Sequence, residues 1–238
     1  MDTPKGKLYL IPTTLGESNP LEVLPLTVRK AVEQINHYVV EHEKSARRSI
    51  QRIAPSKSQP DLHLQQLNKF TDPGEIRSFI DPCLEGFDVG IISDAGCPGI
   101  ADPGAAVVAL AHEMDIQVVP LVGPSSILLA MMASGMNGQK FAFHGYLPID
   151  KRERRKEIKQ LERDSKANDQ AQLFIETPYR NGQLMDALLS TLLGDTRLCV
   201  ATDITLPTEY IKTLTVDQWK KNKVDLHKRP TLFIIQNN

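Results

Sequence analysis

The segment "VGIISDAGCPGIADPG", residues 89–104, decides the fold. The run "VGII" is followed by twelve residues holding three glycines, two prolines and two aspartates. A short apolar run bounded by turn residues marks a buried strand. Glycine there permits positive φ and close backbone approach, and proline stiffens the turn. In open α/β sheets, ligands bind outside the carboxyl ends of the strands, where this turn chemistry sits. Two further segments repeat the arrangement: "PTTLGES" (12–18) after "KLYLIP" (7–12), and "VGPSS" (122–126) after "IQVVPLV" (116–122). Taken alone, "SDAGCPGIADPG" reads as a compact surface loop. "GPSS" alone reads as a helix cap made by Ser125 or Ser126. Their recurrence at successive strand ends points to a pocket. The chain has neither a G-x-G-x-x-G nor a G-K-S phosphate cradle.

Working outward, strands are expected at 7–12, 35–41, 61–67, 89–93 and 116–122, with helical patterns between them. That alternation implies a mainly parallel sheet covered by helices. Ile76, Phe79, Ile80, Cys83 and Leu84 keep the spacing of an amphipathic helix, which Pro82 should kink or shorten. "SSILLAMMASGM" (125–136) reads as a buried helix. Strands then resume at 140–148, 172–177, 197–204, 209–216 and 231–236, with helices at 151–166 and 181–193. The last strands follow one another closely, which favours antiparallel pairing. The expectation is therefore an α/β protein of two α/β domains, 1–122 and 123–238, the first sheet mainly parallel and the second mixed.

A chain of 238 residues, 41% apolar and 24% charged, fits a soluble globular protein that needs no staples. Cys83, Cys97 and Cys199 are scattered, which argues against a disulfide framework or a zinc site and fits a reducing cytoplasm. No histidine has a cysteine or carboxylate at ligand spacing, so no metal is expected. The start of the chain shows no signal peptide, and no run reaches 18 apolar residues, so no membrane partner is expected.

Charge is uneven. Residues 44–57 carry Lys44, Arg47, Arg48, Arg52 and Lys57 with no acid, giving +5, and residues 151–163 carry +4. With the whole chain at -1, the remainder carries -10. Two basic stretches of this kind suit a phosphate backbone. The first, uncompensated by acids, is the better RNA candidate through Lys44, Arg47, Arg48 and Arg52; the second also reads as a solvated helix face. Aromatic content is only 5%, so base stacking is not signalled.

In order along the chain, "LYLIPTTLGE", "VGIISDAGCPGIADPG", "VVPLVGPSSILLAMMASG", "FAFHGYLP" and "LFIETPYR" resemble segments of the ribosomal RNA small-subunit methyltransferase I family. That family lies within the tetrapyrrole-methylase-like class of S-adenosylmethionine-dependent methyltransferases. The resemblance implies a ligand cleft between the two domains and S-adenosylmethionine, which carries no phosphate, as cofactor; that explains the missing phosphate cradle. It implies donor binding by Pro12, Gly96, Cys97, Pro98, Ile100, Ser125, Ser126, Ile175, Glu176 and Thr231. It implies methylation of a ribose 2′-hydroxyl, ribosomal RNA or the small ribosomal subunit as partner, and a homodimer. The sequence departs from the family where Cys97 replaces Thr, where "VEHEK" (40–44) replaces "AEDTR", and where "TPYR" (177–180) replaces "SPHR".

A hydroxyl that is methylated must give up its proton. Glu41, Glu176 and Glu17 are the carboxylates near the expected strand ends, and Glu41 and Glu176 are the catalytic candidates, with Arg180 as a phosphate clamp. Each also has a structural alternative: N-capping, or an ion pair with Arg180 or Lys44. His144 reads as a satisfied interior or cleft residue. Two other functions stay open: methylation of a tetrapyrrole or other small molecule, and a catalytically lapsed S-adenosylmethionine-binding protein of the ribosome.

Overall fold

The computed structural model describes residues 4–68, 71–72 and 74–237. The chain forms two compact units, Met1–Ser125 and Ser126–Asn238.

The first unit runs β1 (Leu8–Ile11), α1 (Pro20–Val23), α2 (Leu26–Gln34), β2 (His37–Val40), α3 (Glu43–Ile53), β3 (His63–Gln66), a 3-10 turn (Ile76–Ile80), α4 (Asp81–Leu84), β4 (Val89–Ile92), α5 (Ala105–Glu113) and β5 (Val118–Pro120). Its sheet has the order β3-β2-β4-β1-β5, and every neighbouring pair is parallel. All carboxyl ends therefore share one edge. The segment after β1 emerges between those after β4 and β5, and β2 delivers Glu41 to the same edge beside β4.

Alternation along the strands divides the core. Ile11, Tyr38, Val40 and Ile92 pack with Val28, Val32, Ile50 and Ile53 of α2 and α3. Leu8, Val39, Val89 and Ile91 pack on the other face with Phe79, Ile80, Cys83, Val107 and Ala111. Burial on both faces explains why β4 reads as an unbroken apolar run. Gly90 is needed within it, because a side chain there would lie 2.7 Å from Ile11 Cδ1 and 3.0 Å from Tyr38. Pro82 breaks the expected helix: the chain makes a 3-10 turn and then restarts as α4 with Pro82 in its first turn.

The second unit runs α6 (Ser126–Ser134), β6 (Phe141–Tyr146), α7 (Lys151–Asn168), β7 (Ala171–Ile175), α8 (Asn181–Thr191), β8 (Arg197–Thr202), β9 (Tyr210–Thr215), α9 (Val216–Trp219) and β10 (Thr231–Gln236). The sheet order is β6-β7-β10-β8-β9; β6–β7 is parallel and the other pairs are antiparallel. β10 inserts between β7 and β8 instead of extending the β8–β9 hairpin. Its six residues are all buried, which fits a central position. Phe174, Phe233, Val200 and Trp219 fill the core with Ile158, Leu161, Leu184 and Leu188 from α7 and α8. Trp219 Nε1 donates to Leu198 O at 2.8 Å, which satisfies the buried indole.

The apolar helix α6 is not fully buried within its unit. Ala130, Met131 and Ser134 face inward, while Leu128 and Met132 are 53% and 79% exposed. Among the described residues, no helix is long and apolar enough to cross a membrane.

Candidate active site

In the first unit, the three turn-rich segments meet through a main-chain hydrogen bond and through side chains set against main-chain atoms. The buried Thr13 ties the first to the second: its N–H donates to Gly96 O at 3.0 Å, and its hydroxyl donates to Ser93 O at 3.1 Å. Cys97 ties the second to the third, with Sγ 3.4 Å from Pro124 O and 3.8 Å from Gly123 O. Pro12 and Gly123 tie the first to the third, since a Cβ on Gly123 would lie 2.2 Å from Pro12 Cγ. Gly96 has φ +76, and a Cβ there would meet Leu15 Cδ2 at 3.1 Å and Pro124 O at 3.3 Å. Asp102 Oδ1 staples the long loop by accepting from Gly99 N at 2.7 Å and Gly104 N at 2.9 Å. Pro12, Gly96, Cys97 and Pro98 are thus gathered against the segment that ends in Ser125. Ile100 lies farther along the loop and is 55% exposed.

In the second unit, Ser126 opens α6. Ile175 pairs with Leu232 across β7 and β10, so Ile175, Glu176 and Thr231 share one end of that sheet. The Thr231 hydroxyl lies 3.0 Å from Thr202 Oγ1 and from Arg229 O. Glu176 is buried. Its Oε1 accepts from Thr177 N at 2.6 Å and from Arg180 Nε and Nη2 at 3.0 and 2.7 Å, while its buried Oε2 has no hydrogen-bond partner. Asn181 Nδ2 donates to Arg229 O at 2.7 Å, and its Oδ1 is likewise buried and unpartnered. Two buried acceptors, five residues apart in the chain, therefore lack donors. His144 lies 2.6 Å, Nε2 to Oε1, from Gln172.

Glu41 stands at the shared edge of the first sheet, where its Oε1 accepts from Asp94 N at 3.2 Å. Burial raises the Glu41 pKa, and the negative charges of Asp94 and Asp102 add to the rise; the Asp94 hydrogen bond and His42 oppose it. Asp94 also anchors α3: its Oδ2 lies 2.6 Å from His42 Nδ1, and its Oδ1 accepts from Ser45 Oγ. Neither His42, Ser45 nor Asp94 stood out in the sequence, because Asp94 is 52 and 49 residues away from its partners.

The basic residues of α3 are compensated by acids from outside the 44–57 window. Arg47 bonds Glu43 Oε1 at 2.9 Å and Gln59 O at 2.8 Å. Arg48 and Arg52 share Glu17 Oε2 at 3.0 and 3.3 Å, and Arg52 also reaches Ser18 O at 2.6 Å. Lys44 is exposed and makes no ion pair among the described residues. Glu17, His42, Lys44, Arg48, Arg52 and Asp94 line a cavity of about 450 Å³ within this unit.

A parallel sheet crowned by three converging glycine-proline loops, followed by a mixed-sheet unit, defines an α/β methyltransferase class. The chain belongs to the family of Tetrapyrrole (Corrin/Porphyrin) Methylases, whose sequence profile matches residues 7–219. It is 28% identical to the ribosomal RNA small subunit methyltransferase I of Escherichia coli O157:H7, over all of this chain and 80% of that protein. It is 30% identical to the protein of that name from Bacillus subtilis (strain 168), over 84% of this chain and 64% of that one. Among solved structures, the fold is similar to that of uroporphyrin-III C-methyltransferase from Thermus thermophilus complexed with S-adenosylhomocysteine: TM-score 0.57, 15% identity, and 98% of each chain covered. The protein is an S-adenosylmethionine-dependent methyltransferase. Its residues fit that donor, because the unpartnered acceptors of Glu176 and Asn181 suit the N–H and O–H groups of a nucleoside.

Proposed function

We propose that the protein methylates a ribose 2′-hydroxyl of small-subunit ribosomal RNA. The observation that carries this is the meeting of the segments after β1, β4 and β5, which gathers their turns at one sheet edge. When bound, S-adenosylmethionine supplies a sulfonium methyl, whose S–C bond breaks as the O–C bond forms and neutral S-adenosylhomocysteine leaves. Donor binding is assigned to Pro12, Gly96, Cys97, Pro98, Ile100, Ser125 and Ser126, and to Ile175, Glu176 and Thr231 of the second unit.

Main-chain groups suit this chemistry. A carboxylate set against the sulfonium would stabilise the ground state more than the transition state, where that charge has dispersed. The work of the loops is orientation, and positioning can supply several kcal/mol of the barrier. Glu41 is assigned as proton acceptor, because its raised pKa brings it nearer to neutrality, where a general base is most effective. Glu176 is held by Arg180 and buried, which suits ligand positioning better than proton transfer. The names of the relatives support ribosomal RNA as acceptor. Lys44, Arg47, Arg48 and Arg52 are assigned to its phosphates, and a homodimer is part of the same reading.

The test supplies methyl-labelled S-adenosylmethionine and small ribosomal subunits from cells lacking the protein, then digests the RNA to nucleosides for mass spectrometry. Label in one 2′-O-methyl nucleoside is expected. Label absent from RNA, or transferred instead to a porphyrin offered in parallel, overturns the assignment.

A further inference from the structure

The 18-residue helix α7 carries more unpaired positive charge than α3, and the charge is sorted by face. Asp150 caps it by accepting from Arg152 N and Glu153 N at 2.9 and 3.0 Å. Lys151, Arg152, Arg155, Lys156, Lys159 and Arg163 are exposed, joined by Lys166 near the end. At about 100° per residue, all seven fall on an arc of about 140°. The acids Glu153, Glu157 and Asp164 fall on a separate arc of about 40°. Ile158 and Leu161 turn inward to the core. Glu162 is buried as well, where it accepts from Leu193 N at 2.8 Å and from Thr196 Oγ1.

Among the described residues, none of the seven bases makes an ion pair; Arg163 reaches only Gln160 Oε1, at 2.6 Å. A helix that is merely solvated gains from interspersing acids at i+3 and i+4. Here the acids stand aside, and from Lys151 to Lys166 the bases form a ridge about 22 Å long. We infer that this ridge is a docking surface for the phosphate backbone of the RNA acceptor, an inference that rests on the proposed function. Evenly spread Lys and Arg match a linear polyanion read by charge and shape. A membrane surface fits less well, because an interfacial helix needs a free apolar face and that of α7 is packed into the core.

The test compares the wild-type protein with the triple variant Arg152→Glu, Arg155→Glu, Lys159→Glu, with Arg155→Lys as the charge-conserving control. The substitutions are exposed, and Glu is as good a helix former as Lys and Arg, so the fold is retained. The probes are in-vitro transcribed small-subunit ribosomal RNA, S-adenosylmethionine by calorimetry, and phosphatidylserine vesicles. The expected result is RNA affinity lower by about a hundredfold near 0.1 M salt and a log–log salt slope shallower by about 2. Donor affinity stays unchanged, and the Lys control behaves as wild type. If RNA affinity and slope are unchanged while the wild type still methylates RNA, the ridge is not the docking surface and the proposed function stands. If the wild type neither binds nor methylates RNA, both fall. Loss of vesicle binding with RNA binding intact overturns the inference in favour of a membrane.

Discussion

Arg180 closes on Glu176 with both Nε and Nη2 directed at the same oxygen, Oε1, leaving Oε2 buried and unpartnered. The carboxylate is almost wholly buried, while the guanidinium reaches water. Removing Arg180 therefore strands a buried charge. Arg180→Ala should cost about 2 kcal/mol, less than for a fully enclosed pair because the arginine is partly exposed. Glu176→Gln should be milder for stability, yet weaken S-adenosylmethionine binding if Oε2 awaits a donor from the ligand. Urea denaturation and calorimetry on the two variants separate these effects. Equal loss of stability in both, with donor affinity untouched, would assign the pair to the fold alone.

Gly123 lies where a methyl group would collide with the ring of Pro12. Gly123→Ala must push apart the first and third loops, at about 1–3 kcal/mol for an overpacked site. Because the displacement falls on the proposed donor loops, the Kd for S-adenosylmethionine should rise by a larger factor than stability alone predicts. Gly138→Ala, in open space within the second unit, is the comparison. An unaltered donor Kd in Gly123→Ala would detach this contact from binding.

The parts of the fold that were legible from sequence are those governed by local pattern. Among the described residues, nine of the ten strands lie within the expected runs and β7 starts one residue early, because β-branched segments bounded by Gly, Pro and Asp are strong punctuation. The place of β10 between β7 and β8 was not legible, since strand order is fixed by long-range pairing. The ion pairs of α3 are hidden for a related reason: Glu17 is 31 residues from Arg48, and a window along the chain does not see it. α6 looked buried because its residues are apolar on every side, and amphipathic spacing offered no warning that Leu128 and Met132 face outward within the unit. The anchoring of His42 and Ser45 by Asp94 was hidden in the quoted loop, where Asp94 read simply as a turn residue.

Cys97 stands where the resembling family has Thr, and its thiol contacts main-chain carbonyls of the third loop. Burial raises its pKa, so it stays protonated at neutral pH and is a poor nucleophile. Cys97→Thr adds a branch and a hydroxyl beside those carbonyls and should change stability by about 0.5–3 kcal/mol, the ordinary range of a point substitution. Donor affinity should stay within a few-fold of wild type, since the proposed contact is main-chain. Iodoacetamide should label the native protein far more slowly than a free thiol. Rapid alkylation that abolishes donor binding would show Cys97 to be a reactive part of the site.

Glu41 gives the reaction its expected pH dependence. Its folded pKa is raised above the ordinary 4.5, chiefly by burial and then by the charges of Asp94 and Asp102. The folded state therefore holds this proton more tightly than the unfolded chain. Between the ordinary and the raised value, stability falls as pH rises. Glu41→Gln, whose amide oxygen can still accept from Asp94 N, removes that dependence. The variant should match wild type at strongly acidic pH and exceed it in denaturant midpoint once Glu41 has ionised. Activity should move the other way. As general base, Glu41 works only when deprotonated, so the wild-type rate should climb through the raised pKa, and the Gln variant should lose about 10²–10⁴-fold and its acidic limb. A Gln variant that is more stable at neutral pH yet equally active would leave the carboxylate a strained structural group and move the proton acceptor elsewhere.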